Sequence, residues 1–190
     1  MKIYLLERSF DKASALFHAF AGETVEVVCD DFAHFMKTHE VECIVSPANS
    51  FGLMDGGYDL AITEWFGDQL QKRVQQVILD HFCGEQPVGT SFLIDAGRDG
   101  QKLIHTPTMR VPSEIRDPAV IYQCMRTTLM TAIEHGVKSI VIPLFGGAAG
   151  GVEAHLAAEL MHCGYRRILH PNTVIDWDTV IRLDRQFPEI

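Results

Sequence analysis

The stretch Cys43-Ile44-Val45-Ser46-Pro47-Ala48-Asn49-Ser50-Phe51-Gly52-Leu53-Met54-Asp55-Gly56-Gly57-Tyr58-Asp59-Leu60-Ala61-Ile62 runs from an apolar segment through a glycine-bearing turn into a helical pattern. Cys43 to Pro47 is short and apolar at consecutive positions, the pattern of a strand covered on both faces. Helical periodicity begins at Asp59 and continues to Phe66, with Gly52, Gly56 and Gly57 between the two elements. A turn of this kind aims unpaired backbone N–H groups, and the positive end of a helix dipole, at whatever lies in front of it.

Moving outward, the same arrangement recurs near the C-terminus. Ser139 to Leu144 reads as a strand, Phe145-Gly146-Gly147-Ala148-Ala149-Gly150-Gly151 as a turn, and Val152 to His162 as a helix. These two turns hold seven of the 15 glycines, and together they read as a cradle for a diphosphate. Neither has the Gly-x-x-x-x-Gly-Lys-Ser/Thr or Gly-x-Gly-x-x-Gly spacing, which disfavours a P-loop NTPase and a dinucleotide-binding Rossmann domain.

The rest of the chain alternates in the same way. Further strands are expected at Lys2 to Glu7, Thr24 to Asp30, Ser91 to Asp95 and Leu103 to His105. Further helices are expected at Asp11 to Ala21, Phe32 to Thr38, Asp68 to Phe82 and Ala119 to His135. Gly22, Gly84, Gly136 and Gly164 are placed as helix-ending glycines. The fold class is therefore α/β, a three-layer α/β/α arrangement around a mixed, mostly parallel sheet. In such sheets ligands bind at the carboxyl ends of the strands. A length of 190 residues is expected to form one domain, 1–190.

Charge narrows the partners. With 16 Lys plus Arg against 25 Asp plus Glu, the net charge of −9 and the lack of a basic block argue against long nucleic acids. No apolar run is long enough for a membrane span and the N-terminus lacks a signal peptide's pattern, so a cytoplasmic location and no membrane partner are expected. Five widely spaced cysteines without a Cys-x-x-Cys pair suggest reduced thiols rather than a disulfide framework or zinc ribbon. Neither a metal nor a cofactor is expected.

The segment Ile44 to Ile62 resembles the signature of macro domains, the ADP-ribose-binding family, in which Asn-Ala-Ala-Asn-Ser leads into a glycine cluster, Val-Asp and a helix. Three further pieces agree in order. Val27-Val28-Cys29-Asp30-Asp31-Phe32 resembles the family's strand ending in Gly-Asp-Ile, Leu103-Ile104-His105-Thr106 its Ile-His-Thr strand, and Ser139 to Val152 its second phosphate loop. The resemblance covers about residues 24 to 160.

It implies that Asp31 accepts from the adenine amino group, with the backbone N–H of Phe32 facing adenine too. Asn49 would contact the distal ribose. Gly56, Gly57 and Tyr58 would form the first diphosphate loop, and Gly146, Gly147, Ala148, Ala149, Gly150, Gly151 and Val152 the second. Asn49 and Asp59 keep the ten-position spacing that the family's hydrolases use on ADP-ribosylated acidic side chains or O-acetyl-ADP-ribose. Asp59 would orient or deprotonate a water, with Asn49 fixing a ribose hydroxyl. The implied partners are ADP-ribose or ADP-ribosylated protein. Alternatives are a non-catalytic reader, or a relative that shares only the fold and serves in assembly.

The chain departs from the family pattern at Ser46 (for Asn), Asp55 (for Gly), Thr63 (often His), Gly147-Ala148 (for Thr-Gly), Gly150 (often aromatic) and Glu153 (for Pro). Its N-terminus reads as a β-α-β unit where many macro domains begin with a hairpin. Apart from the resemblance, Asn49 also suits a strand-end turn and Asp59 a helix N-terminus. His155, Glu159 and His162 share a helix face, as metal ligands or as solvated residues. Cys29, Cys43 and His105 read as strand residues of the core, Arg110 as a cation near a strand end for a phosphate or substrate, and Trp177 as a cover for adenine or a packing residue.

Overall fold

A computed structural model describes residues 1–190. Its elements in chain order are β1 (Lys2–Glu7), α1 (Phe10–Ala19), β2 (Glu26–Cys29), α2 (Phe32–Thr38), β3 (Cys43–Ser46), α3 (Gly57–Phe66) and α4 (Gln69–Phe82). There follow β4 (Phe92–Asp95), β5 (Lys102–His105), α5 (Ala119–Glu134), β6 (Ser139–Pro143), α6 (Ala154–Leu169) and α7 (Trp177–Arg185).

The six strands form one sheet in the order β2-β1-β6-β3-β5-β4. Every neighbouring pair is parallel except β4 and β5. Successive side chains of a strand point to opposite faces, and here each face has its own core. Ile3, Leu5, Cys43, Val45, Ile140 and Ile142 pack with α1, α5 and α6. Their alternates Tyr4, Leu6, Ile44 and Val141 pack with α2, α3 and α4. This is the physical origin of the unbroken apolar strands, and it gives the expected three layers.

The N-terminal β-α-β unit forms as read, with β1 parallel to β2. It also pairs with β6, so that Leu6 lies opposite Pro143 while Glu7 lies opposite Cys29. The carboxyl ends of β2, β1, β6 and β3 therefore follow one another along a single edge.

One expectation is corrected. Gly164 does not end a helix: α6 runs on to Leu169. A Cβ at Gly164 would lie 2.8 Å from the carbonyl oxygen of Tyr122 and 2.9 Å from Met125 Cβ, so this glycine permits the close crossing of α5 and α6. The tail, unassigned from sequence, forms α7 with no buried residue of its own. No helix is long and apolar enough to cross a membrane.

Candidate functional site

The turn after β3 is held by Asn49. Its Nδ2 donates to the carbonyl of Leu53 at 2.8 Å, and its Oδ1 accepts from the N–H groups of Phe51 and Leu53. Only 5% of the residue is exposed. Asn49 therefore shapes the loop with most of its hydrogen-bonding capacity, leaving one amide N–H uncommitted.

At the end of this loop, Gly56 precedes α3 with no side-chain cap. Gly57 takes φ +56° in open space. The backbone N–H groups of Gly56, Gly57 and Tyr58 donate to nothing within the chain, whereas that of Asp59 faces its own carboxyl. An uncapped helix start with free N–H groups attracts an anion. The Tyr58 ring turns away from the loop, edge-to-face on Phe32 with centroids 5.3 Å apart, and its buried hydroxyl has no partner. Asp55 is exposed.

Asp59 lies on the first turn of α3 but points inward. Its Oδ1 accepts from Ser46 Oγ at 2.6 Å, and the residue is 9% exposed. Burial disfavours the ionised carboxylate and pushes its pKa up to about 7, while the Ser46 hydrogen bond pulls the other way. A carboxyl poised near neutrality can both take and return a proton. Thr63 donates its hydroxyl to the carbonyls of Met54 and Asp59, tying α3 to the loop.

The second loop is held from behind. Val152 N–H donates to Gly146 O, Gly151 N–H to Ala148 O, and Gly150 O accepts from Ile115 N–H. Gly146 takes φ +73°, and a Cβ at Gly150 would meet Gly146 O at 2.7 Å. The N–H groups of Gly147, Ala148, Ala149 and Gly150 make no hydrogen bond within the chain.

The helix behind this loop differs from the first. Glu153 caps α6 by accepting from Leu156 N–H at 2.9 Å. Backbone N–H groups hold its carboxyl below the usual carboxylate range. The α6 terminus is thus already satisfied by the chain's own anion, and what the loop offers is its own amides.

Asp31 caps α2, its Oδ1 accepting from His34 N–H at 2.9 Å. It is exposed and its second carboxylate oxygen is unengaged within the chain. Phe32 is buried in the core, with a backbone N–H that donates to nothing. Asp31 follows β2 and the glycine loops follow β6 and β3, so the strand order brings all three to one edge.

Other candidates are placed elsewhere. Arg110 does not stand free for a phosphate: it pairs with both carboxylate oxygens of Glu85, at 2.7 and 3.0 Å, over the Phe51 ring. Trp177 neither packs nor covers the site; it is 78% exposed on α7. His162 bonds Glu23, away from any shared ligand set with His155 and Glu159. His105 is buried against Gln86, and desolvation lowers its pKa to about 3. Cys43 is a buried core residue and Cys29 is exposed.

One site feature escaped the sequence reading. Lys12, on the first turn of α1, donates its Nζ to Gly147 O at 2.5 Å across 135 positions of chain. No local spacing signals such a contact.

Among known proteins, the family model described as "Macro domain" matches residues 45–161. An uncharacterized protein of Aquifex aeolicus is 32% identical over 123 residues, 64% of this chain and 71% of that protein. One of Aeropyrum pernix is 28% identical over 137 residues, 67% of this chain and 69% of that protein. In three dimensions the chain is similar to a glycine-to-valine mutant of the Oceanobacillus iheyensis macrodomain with ADPR, with TM-score 0.63 and 23% identity over 73% of this chain and 76% of that one. It is also similar to the Trypanosoma brucei macrodomain in complex with ADP-ribose, with TM-score 0.57 and 23% identity over 70% of this chain and 53% of that one.

Proposed function

Because this chain belongs to the macro domain family, we propose that it binds ADP-ribose, free or attached to protein, across the carboxyl ends of β2, β1, β6 and β3. The observation that carries the reading is the pair of loops whose free N–H groups, at Gly56 to Tyr58 and Gly147 to Gly150, converge on one edge of the sheet. Oriented N–H groups hold a diphosphate without a cation. Similar folds with ADPR and ADP-ribose support the same ligand.

Strand order supports a ligand orientation. Three strand spacings separate β2 from β3, about 14 Å in all, which suits an elongated nucleotide. Adenine lies at the β2 end, its amino group on the free oxygen of Asp31 and a ring nitrogen on Phe32 N–H. The diphosphate lies over β6, between the loops, and the distal ribose reaches Asn49 and Asp59 at β3.

The finer reading is hydrolysis of an ester at that ribose. Asp59, near neutrality, takes a proton from an attacking water while the uncommitted amide N–H of Asn49 holds a hydroxyl. A second reading, a binder without hydrolysis, is favoured by Asn49's commitment to its own loop and by Thr63 spending its hydroxyl on backbone carbonyls.

Two assays separate the levels. In a nuclear magnetic resonance titration with ADP-ribose, the amides of Gly56 to Tyr58 and Gly147 to Gly150 are expected to shift; unmoved amides at saturating ligand reject the site. Incubation with O-acetyl-ADP-ribose and with protein ADP-ribosylated on Glu or Asp tests the chemistry. Product that disappears in Asp59→Asn supports hydrolysis, and substrate intact in the wild type leaves a reader.

A further inference from the structure

We infer that Lys12 supplies the positive charge missing from the two glycine loops, so that the diphosphate is held by loop amides on one side and by an ammonium on the other. This rests on the nucleotide-binding reading above and adds a residue to it. From Val41 to Gln71 and from Ser139 to Tyr165 there is no Lys or Arg, while Glu42, Asp55, Asp59, Glu64, Asp68, Glu153 and Glu159 are all present. Loops in that setting present N–H dipoles to an anion but surround it with negative charge.

The topology brings the cation in from elsewhere. Because β1 lies between β2 and β6, the chain leaving Glu7 enters α1 beside the loop that follows Pro143. Lys12 then reaches Gly147 O at 2.5 Å, next to the free N–H groups of Gly147, Ala148, Ala149 and Gly150. An ammonium has three N–H donors, and this contact uses one. No carboxylate lies within ion-pair distance of it. Its sole partner is a neutral carbonyl of the second loop, so no acid of the chain pairs with its charge there. Lys12 also lies outside residues 45–161, so the segment that matches the family does not provide it.

A brace that merely holds Gly147 would leave the same hydrogen bond, so the test must separate charge from geometry. Glutamine offers an uncharged N–H donor on a side chain one bond shorter; methionine offers neither charge nor donor. Calorimetric titrations of the full chain with ADP-ribose, ADP and adenosine, at low and high salt, are made for the wild type, Lys12→Gln and Lys12→Met. Both variants are expected to lose about tenfold in affinity for ADP-ribose and ADP, with adenosine unchanged, the scale of one charge-assisted hydrogen bond. The salt dependence of ADP-ribose binding flattens in both, because the screened charge is gone.

Lys12→Gln binding ADP-ribose like the wild type, with the wild-type salt dependence, overturns the inference in favour of a brace. Unchanged binding in Lys12→Met overturns any role for the residue. A wild type that binds no ADP-ribose is a different failure: it overturns the nucleotide reading, and this inference with it. Unaltered thermal melts of the variants exclude misfolding as the source of a loss.

Discussion

Ser46, the last residue of β3, donates its hydroxyl to Asp59 on the first turn of α3 at 2.6 Å. This bond joins the strand to the helix across the loop that Asn49 shapes, and it fixes one oxygen of the carboxyl. The backbone N–H of Asp59 itself also faces the carboxyl. Asp59 therefore combines a fixed orientation with burial that opposes its ionisation.

Asp59 makes stability depend on pH with a definite sign. Its pKa in the folded chain, about 7, lies above the ordinary 3.8, so between those values the folded state binds more protons than the unfolded one. Stability contributed by the protonated carboxyl is present below pH 3.8 and is lost as pH rises through about 7. Asp59→Asn removes that loss. The variant is expected to melt near the wild type at pH 4 and to gain on it with rising pH up to ~8, by a few kcal/mol at most. A pH-independent difference between their thermal melts contradicts the shift.

The Ser46 hydroxyl favours the charged carboxylate. Ser46→Ala is thus expected to raise the Asp59 titration midpoint further, by roughly one pH unit. Carbon-13 detection of the Asp59 carboxyl reads this without any assay of activity. An unchanged or lowered midpoint would mean that the hydrogen bond does not stabilise the ionised form.

Asp31 caps α2 and, in the proposed site, also accepts from adenine; one substitution separates the two. As the cap of α2 it accepts from His34 N–H, a role that serine also fills. Asp31→Ser is expected to keep thermal stability within about 0.5 kcal/mol while weakening ADP-ribose binding about tenfold through loss of the carboxylate partner for adenine. Equal affinity in the variant removes Asp31 from the adenine site.

Gly164→Ala tests the crossing of α5 and α6. Alanine favours a helix by about 1 kcal/mol over glycine, but its Cβ would meet Tyr122 O at 2.8 Å. Overpacking is expected to win, with a net loss of about 1–2 kcal/mol in chemical denaturation and no change in ligand affinity. A stabilised variant would show that the helices part easily.

The sheet, its layers and both glycine loops were legible because they rest on local patterns: unbroken apolar strands, helical periodicity and clustered glycines. Gly164 misled because a glycine near a helix end has two uses, and only packing against α5 decides between them. The tail was opaque because it carries none of the family's motifs, α7 buries none of its residues, and the tail touches the core only through partly buried side chains such as Phe187. Arg110 was misplaced because a surface cation pairs with whatever acid folding brings near, here Glu85. Lys12 was invisible for the same reason in reverse: its partner lies 135 positions away, joined to it only by the adjacency of β1 and β6.

Calorimetric titration of the wild-type chain with ADP-ribose decides whether the two loops hold a nucleotide. Saturable one-to-one binding in the micromolar range is expected, with ADP weaker and a long single-stranded nucleic acid giving no comparable heat. No heat and no thermal shift at millimolar ADP-ribose would contradict it, and would leave the free N–H groups of the two loops without their ligand.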